Sequence, residues 1–491
     1  MVAVPSMPPH PPSEPPVREP SLRGAALEAD PERRAFLALL RRFGREATSF
    51  VALGAGFRYL WLDDDLCVPY VDTGSAWVAA GSPVGPPERC AAAGRAFSER
   101  AREAGRGAVL FATEEPFASA AELCSLRVGE QPVWAPASWA ATVSRVRSLK
   151  EQLRRARAKG VRVERLASAE VEQAGRRRGA VHSLIARWLS TRPMAPMGFV
   201  VQVAPFTFSS ERRYYAAWRG GLLVGFLGLS PIPARDGWLF ENLLRDPRAP
   251  NGTAELLFDG AMRDLATDGV AYATFGLAPL AGELPAWLAL ARRGGQPLYD
   301  FAGLYAFKAK LRPALWEPVF VSYPQGPPAL VPIYHVLQAF AGQGFVRFGL
   351  ATLLRGPGVV LRVLTATLVP WTAALALAAP DRWFPSPRVR YAWTAFDVAL
   401  TLGLVALLVR WRRALATGLA VAVTLDAAVT AAQALLWNAP RVETVGDVAA
   451  ALVSVCAPAL AAAVLWGART RHARAETVEG AGGPHARLER P

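Results

Sequence analysis

The chain has 491 residues and a formal net charge of +15, more length than one domain normally needs and a basic excess that points to an anionic partner. That partner is nucleic acid, an anionic membrane surface, or both, unless the excess simply flanks membrane spans. The four cysteines, Cys67, Cys90, Cys124 and Cys456, have neither CxxC nor metal-ligand spacing, which excludes a disulfide framework and a zinc site. Lysine occurs only at Lys150, Lys159, Lys308 and Lys310, and arginine carries the rest of the positive charge. An ammonium, unlike a guanidinium, can lose its proton when desolvated, so these four positions are singled out.

Residues 1–32 are Pro-rich, lack the apolar run of a signal peptide, and read as a disordered tail. A first folded block, 33–165, opens on the helical pattern "PERRAFLALLRRFG" and continues through strand-like runs such as "FRYLWL" and "AWVAAG". The helix "RCAAAGRAFSERAREAG" then leads to the strand "GAVLFAT". The block closes on "SLKEQLRRARAKGVRVERL", a basic helix stopped by Gly160 and followed by a strand. Lys150, Arg154, Arg155, Arg157 and Lys159 crowd its polar side, either as a solvated face or as phosphate contacts.

A second block, 166–325, repeats the mixed order. A helix ("EVEQAGRRRGAVHSLIARWLS") precedes two strands around the Gly220-Gly221 turn, then the strand "GWLFENLL". The loop of "DPRAPNGTAELLFDGA" runs into a helix, and "VAYATFGLAPL" adds a strand. Two such blocks in series suggest a tandem duplication. Residues 326–357 form a linker whose apolar spacing fits a helix lying on a membrane or packing on the second block. Within 358–467, four candidate spans fall at 363–380, 391–409, 414–437 and 446–467. Arginine outweighs on one side of these spans, which places both termini and the soluble region in the cytoplasm. Asp397 and Asp426 fall inside spans, paired within the bundle or marking a polar site. Residues 468–491 read as a disordered cytoplasmic tail.

Ordered motifs from about 35 to 325 carry a family resemblance: "GSPVGPPE", "LRVGEQPVW", "SLKEQLRRARAKG", "LLRDPRAPNGTAELLF", "FGLAPLAG" and "LYDFAGLYAFKAKLRPALWEPVFVSYP". Together they resemble the cytoplasmic catalytic domain of bacterial phosphatidylglycerol lysyltransferases of the multiple-peptide-resistance-factor type. The resemblance implies an α/β (α+β) fold of two tandem GNAT-like acyltransferase domains, here followed by the four transmembrane helices. It implies transfer of an aminoacyl group, lysyl foremost, from aminoacyl-tRNA to phosphatidylglycerol or another anionic lipid at the inner face of the bacterial cytoplasmic membrane. Cationic lipids so made reduce the attraction of cationic antimicrobial peptides. The chain departs from the family's pattern at Ser82, Glu255 and Thr274, and its spans follow the catalytic region.

On this reading the loop through Arg248, Asn251 and Gly252 receives the aminoacyl-tRNA 3′ end or the lipid phosphate, because a glycine admits close backbone approach and a helix N-terminus favours an anion. The loop is one residue longer than the acetyl-CoA pattern, which disfavours coenzyme A. Lys308 and Lys310 alternate in a run read as a strand, which would put both on one face to stabilise charge or bind phosphate. Arg245 could hold a phosphate, and Glu241 or Glu255 could bind the substrate amino group or assist proton transfer. The chemistry calls for no metal and no cofactor beyond aminoacyl-tRNA as co-substrate. The alternatives are an acyl-CoA-dependent acyltransferase, an aminoacyl transferase with a peptidoglycan-type acceptor, and a non-catalytic membrane-anchored binding module.

Overall fold

The computed structural model describes residues 26–172, 175–192, 194–296, 299–342, 344–353, 357–377, 383–409 and 412–480. Of the tails expected at 1–32 and 468–491, residues 1–25 and 481–491 lie outside them, and a helix already begins at Pro31. In chain order the first half holds α1 (Pro31–Phe43), β1 (Arg58–Asp63), β2 (Leu66–Asp72), β3 (Ala76–Ala80), α2 (Pro87–Glu103), β4 (Gly107–Glu114), α3 (Glu115–Ala120), β5 (Cys124–Trp134), α4 (Trp139–Arg145) and α5 (Arg147–Ala158). There follow β6 (Arg162–Leu166), α6 (Ser168–Glu172), α7 (Arg176–Ser190), β7 (Arg213–Arg219), β8 (Leu222–Ile232), β9 (Gly237–Arg245), α8 (Thr253–Thr267), β10 (Tyr272–Thr274), β11 (Ala278–Pro279), α9 (Ala286–Gly295), α10 (Phe301–Lys310) and β12 (Leu315–Tyr323). The apolar remainder forms α11 (Leu330–Ala341), α12 (Phe345–Leu353), α13 (Pro357–Leu377), α14 (Pro387–Val409), α15 (Arg413–Gln433) and α16 (Val445–Gly480).

The chain divides into two compact units. One comprises the described residues up to Ala186 with Gly198–Leu288 and Gly303–Phe340; the other comprises Arg187–Met197, Ala289–Ala302 and the described residues from Ala341 onward.

In the first unit a 12-stranded sheet runs β1-β2-β3-β4-β12-β5-β10-β9-β8-β7-β6, with β11 pairing β5 off this path. The two halves repeat one plan. An antiparallel meander leads through a helix into a parallel neighbour: β3–α2–β4 in one, β9–α8–β10 in the other. Each crossover needs a helix because parallel strands cannot be joined by a tight turn. The last strands are exchanged: β12 pairs β4 and β5, while β5 also pairs β10. The boundary expected at 165/166 falls inside β6, which pairs with β7, and the exchange makes the halves one sheet.

The amphipathic pattern of α1 buries Phe36, Leu37, Leu39 and Leu40, and Asp30 caps its first turn by accepting from the Glu32 amide at 3.0 Å. α4, α5 and α8 cover the sheet around Trp134, Trp139, Leu149, Leu153, Phe240 and Phe258, each such side chain contributing about 1.5–3 kcal/mol by burial. α11 packs against the first half rather than the second: Val336 and Ala339 join the core of α1 and β1–β4, and Ser75 bonds His335 and Gln338.

In the second unit three helical segments among the described residues are long and apolar enough to cross a membrane: Pro387–Val409, Ala414–Arg441 and Gly446–Gly467. The first expected span, 363–380, is represented by the shorter apolar stretch Leu364–Leu377 of α13, and residues 378–380 lie outside the described ones. The tail expected from residue 468 is helical as far as Gly480, as the end of α16.

Candidate functional site

The loops after the parallel strands β9 and β10 leave the sheet at its carboxyl edge, where open α/β sheets commonly bind ligands. The β9 loop, Asp246–Gly252, turns into α8 through Gly252 at φ 93°, a left-handed conformation that glycine adopts without penalty. The close approach that this glycine permits is to the protein itself. A Cβ at Gly252 would stand 2.6 Å from the Gln152 carbonyl oxygen of α5. The expected free passage of a phosphate to this glycine is thus taken up, on that side, by helix packing.

Glu255, in the first turn of α8, is buried, and Lys310 Nζ donates to its Oε1 at 2.6 Å. The pair joins the end of α10 to the start of α8. Lys308 and Lys310 lie on a helix, not a strand, so their spacing of two turns them to different surroundings. The cause is tertiary: the apolar face of "FAGLYAF" sets Phe307 edge-on to Phe275 at 6.0 Å. Lys308 is buried and its Nζ donates to the carbonyl oxygens of Phe275, Gly276 and Leu277 at 3.2, 2.9 and 2.9 Å. Burial pushes this ammonium down to about 7, while three carbonyl oxygens oppose the shift by matching its three N–H donors. Lys308 thereby holds the loop after β10.

The remaining candidates divide. Arg245 Nη1 reaches Asn251 Oδ1 at 3.4 Å, so these two meet on the β9 loop. Arg248 is exposed and its Nε lies 3.6 Å from Asp246 Oδ1. Glu241 is engaged elsewhere, in a buried pair with Arg212 that also receives the Ser230 hydroxyl.

On α5, Arg154 and Arg155 share Glu151, whose carboxyl their hydrogen bonds hold down at about 2. Arg157 instead reaches across to Asp259 of α8 at 2.7 Å, where Trp139 Nε1 and Arg263 Nε also donate. Asp259 is only 1% exposed, so Arg157 fastens two helices. Lys150, Arg154, Arg155 and Lys159 remain exposed along α5 and its C-terminal turn.

A second group of polar residues lies deep in the sheet and was not legible from spacing. Arg235 pairs with Glu114 and with Glu317, the latter at 3.0 Å, and Gln131 Nε2 donates to both carboxylates at 2.9 Å. Tyr272 Oη donates to Glu317 Oε2 at 3.0 Å. Buried Glu46 accepts from the amides of Ser82 at 2.6 Å and Glu114 at 3.2 Å, and Gly81 leaves room for it, since a Cβ there would stand 2.1 Å from its Oε2. Burial raises the Glu46 carboxyl, and burial beside Glu46 raises Glu114 to about 7. The residues come from widely separated segments; the available signal was a carboxylate inside apolar strand runs, as in "GAVLFATE" and "LWEPVF". Among the described residues no group of three or more His, Cys, Asp or Glu side chains is placed to hold a metal ion.

Residues 37–323 match the family model described as "Phosphatidylglycerol lysyltransferase, C-terminal". The chain is similar in fold to a solved structure named as the C-terminal domain (DUF2156) of a lysylphosphatidylglycerol synthetase from Agrobacterium fabrum, with a TM-score of 0.56 and 20% identity over 64% of this chain and 99% of that one. It is also similar to the structure of L-PGS from Bacillus licheniformis, with a TM-score of 0.54 and 18% identity over 66% of this chain and 98% of that one. No match is found among curated proteins.

Proposed function

The chain belongs to the phosphatidylglycerol lysyltransferase C-terminal family, and from this we propose that it moves an aminoacyl group from a charged tRNA to a hydroxyl of phosphatidylglycerol at the inner face of a bacterial cytoplasmic membrane. The observation that carries the reading is the Lys310–Glu255 pair at the first turn of α8, beside loops leaving the carboxyl ends of two parallel strands. The repeated plan of the two halves supports a tandem acyltransferase-like origin.

An aminoacyl ester is already activated, so the reaction is ester exchange. The lipid hydroxyl oxygen attacks the ester carbonyl carbon, the bond from that carbon to the ribose oxygen breaks, and the lipid hydroxyl proton ends on the ribose oxygen. The protein has to align the two groups and stabilise the oxyanion. Glu255 suits the relay of that proton, and Lys310 suits the developing negative charge. Arg245, Arg248 and Asn251 on the β9 loop offer donors to a phosphate, and Lys150, Arg154, Arg155 and Lys159 offer an exposed basic track to the RNA backbone. Lysyl is the group that the family's description favours; alanyl and arginyl are the alternatives.

The test is lipid mass spectrometry on a host that lacks aminoacylated lipids and expresses the full chain. A lipid heavier than phosphatidylglycerol by one aminoacyl residue is expected, and its mass names the amino acid. It should disappear with Lys310→Met. No such lipid, with the protein inserted in the membrane, would sink the proposal, and turnover of acyl-CoA instead of charged tRNA would replace it.

A further inference from the structure

The helices of the C-terminal unit enclose a cavity of about 270 Å³, near the lower end of the roughly 300–1,000 Å³ of small-ligand sites. Its wall is largely aliphatic, but the indoles of three tryptophans and the polar side chains of Asp397, Asp426, Asn438, Arg441 and Asp447 also face it. Asp397 on α14 and Asp426 on α15 sit within helices long and apolar enough to cross a membrane. Carboxylates at such positions are costly unless something answers their charge. Asp397 is 7% exposed, and among the described residues neither carboxylate has a cationic partner.

The donors on the wall are engaged for the most part with other groups. Trp393 Nε1 donates to Gln433 Oε1 at 2.9 Å, and Gln433 Nε2 donates to the Trp383 carbonyl oxygen at 3.0 Å. Arg441 lies over the Trp437 ring and donates to the Trp437 carbonyl oxygen at 2.7 Å. The Thr372 hydroxyl lies within hydrogen-bonding reach of Asp397 and of the Leu368 carbonyl oxygen, the latter at 2.7 Å. The Thr430 hydroxyl is given to Asp426 Oδ1 at 3.0 Å, and the amides of Glu443 and Thr444 to Asp447 Oδ2 at 3.1 and 3.0 Å. Asn438 Oδ1 is buried with no hydrogen-bond partner.

The described wall thus sets three carboxylates, Asp397, Asp426 and Asp447, against one guanidinium, that of Arg441, which is held on Trp437. A hard metal ion would want about six or more oxygen ligands, and among the described residues no three carboxylates converge to hold one. An alkylammonium supplies the charge, three donors and an apolar stem, and indole rings suit a cation. We propose that this cavity binds a primary alkylammonium group, that of an aminoacylated lipid headgroup, between Asp397 and Asp426. The lipid as its source rests on the transferase reading above; the ammonium chemistry does not.

The test uses the purified full chain in phosphatidylcholine nanodiscs, titrated calorimetrically with n-butylammonium chloride and with butanol as the neutral isostere. Saturable binding of the ammonium alone is expected. Asp397→Asn with Asp426→Asn should weaken it by roughly thirtyfold or more, the scale for loss of a buried charge partner. Adding lysyl-phosphatidylglycerol to the nanodiscs should raise the apparent Kd of butylammonium. Absent or butanol-equal binding by the wild type, which depends on no variant's folding, overturns the site. An unchanged Kd with the aminoacylated lipid present overturns the lipid as ligand and leaves a site for small amines. Aminoacyl transfer, assayed on the same wild-type sample, separates the two readings: transfer without ammonium binding refutes the cavity alone, and ammonium binding without transfer refutes the transferase alone.

Discussion

Replacing Lys308 by Met keeps much of the length of the side chain and removes its ammonium from the carbonyl oxygens of Phe275, Gly276 and Leu277. The consequence depends on pH. Burial lowers the folded-state value from 10.5 to about 7, whereas the unfolded chain keeps the ordinary value. Between these limits the unfolded state binds the proton and the folded state does not, so the stability of the wild type relative to the Met variant rises with pH. The gap between 10.5 and about 7, at about 1.4 kcal/mol per pH unit, sets a ceiling of about 5 kcal/mol. From about pH 6.5 to about pH 9.5 the expected gain has an upper limit of about 3 kcal/mol, reduced by whatever the three carbonyl oxygens restore to the charged form. The assay is thermal unfolding of both full-length proteins in one detergent across that range, read as the difference between them. Groups common to both cancel. A difference that stays constant would refute the reasoning: Lys308 would then be an ammonium throughout, held by its carbonyl acceptors against the cost of burial.

Glu255→Gln and Lys310→Met should each lower aminoacyl transfer by about a hundredfold or more, and the double variant little further, because the two act as one unit; independent effects that multiply would separate them. On α5, Lys150→Ala or Arg154→Ala should reduce the salt dependence of tRNA binding by about one counterion each. Arg157→Ala should instead lower the melting temperature with the salt dependence little changed, since Arg157 is held by Asp259; binding isotherms at several salt concentrations make the comparison. Gly252→Ala should destabilise the protein by about 1–3 kcal/mol through its left-handed φ and the contact with Gln152. Gly269→Ala, at φ 72° with nothing within 4 Å of the new Cβ, should cost less by the same thermal measurement.

The sequence by itself determined what local physics governs. The apolar spacing of α1, the glycine turn between β7 and β8, and the Asn-Gly loop leading into α8 were all legible because turn chemistry and amphipathic period act over a few residues. So were the apolar helices α14, α15 and α16, whose continuous apolar length is enough to cross a membrane and is read without reference to partners. Ordered motifs carried the family. Tertiary structure decided everything that depends on which segments meet. "FAGLYAFKAK" alternates as well as a strand does, and became a helix because Phe307 packs against Phe275 and Lys308 finds three carbonyl acceptors of the β10–β11 loop. Glu241 and Glu255 are equivalent carboxylates in sequence; Arg212 engages one, while Lys310 comes from the end of α10 to engage the other. Arg157 looks like its neighbours on α5 until buried Asp259 claims it. The exchange of β5 and β12 pairs strands that lie far apart along the chain, and hydrogen bonding between strands leaves no mark on the periodicity of either.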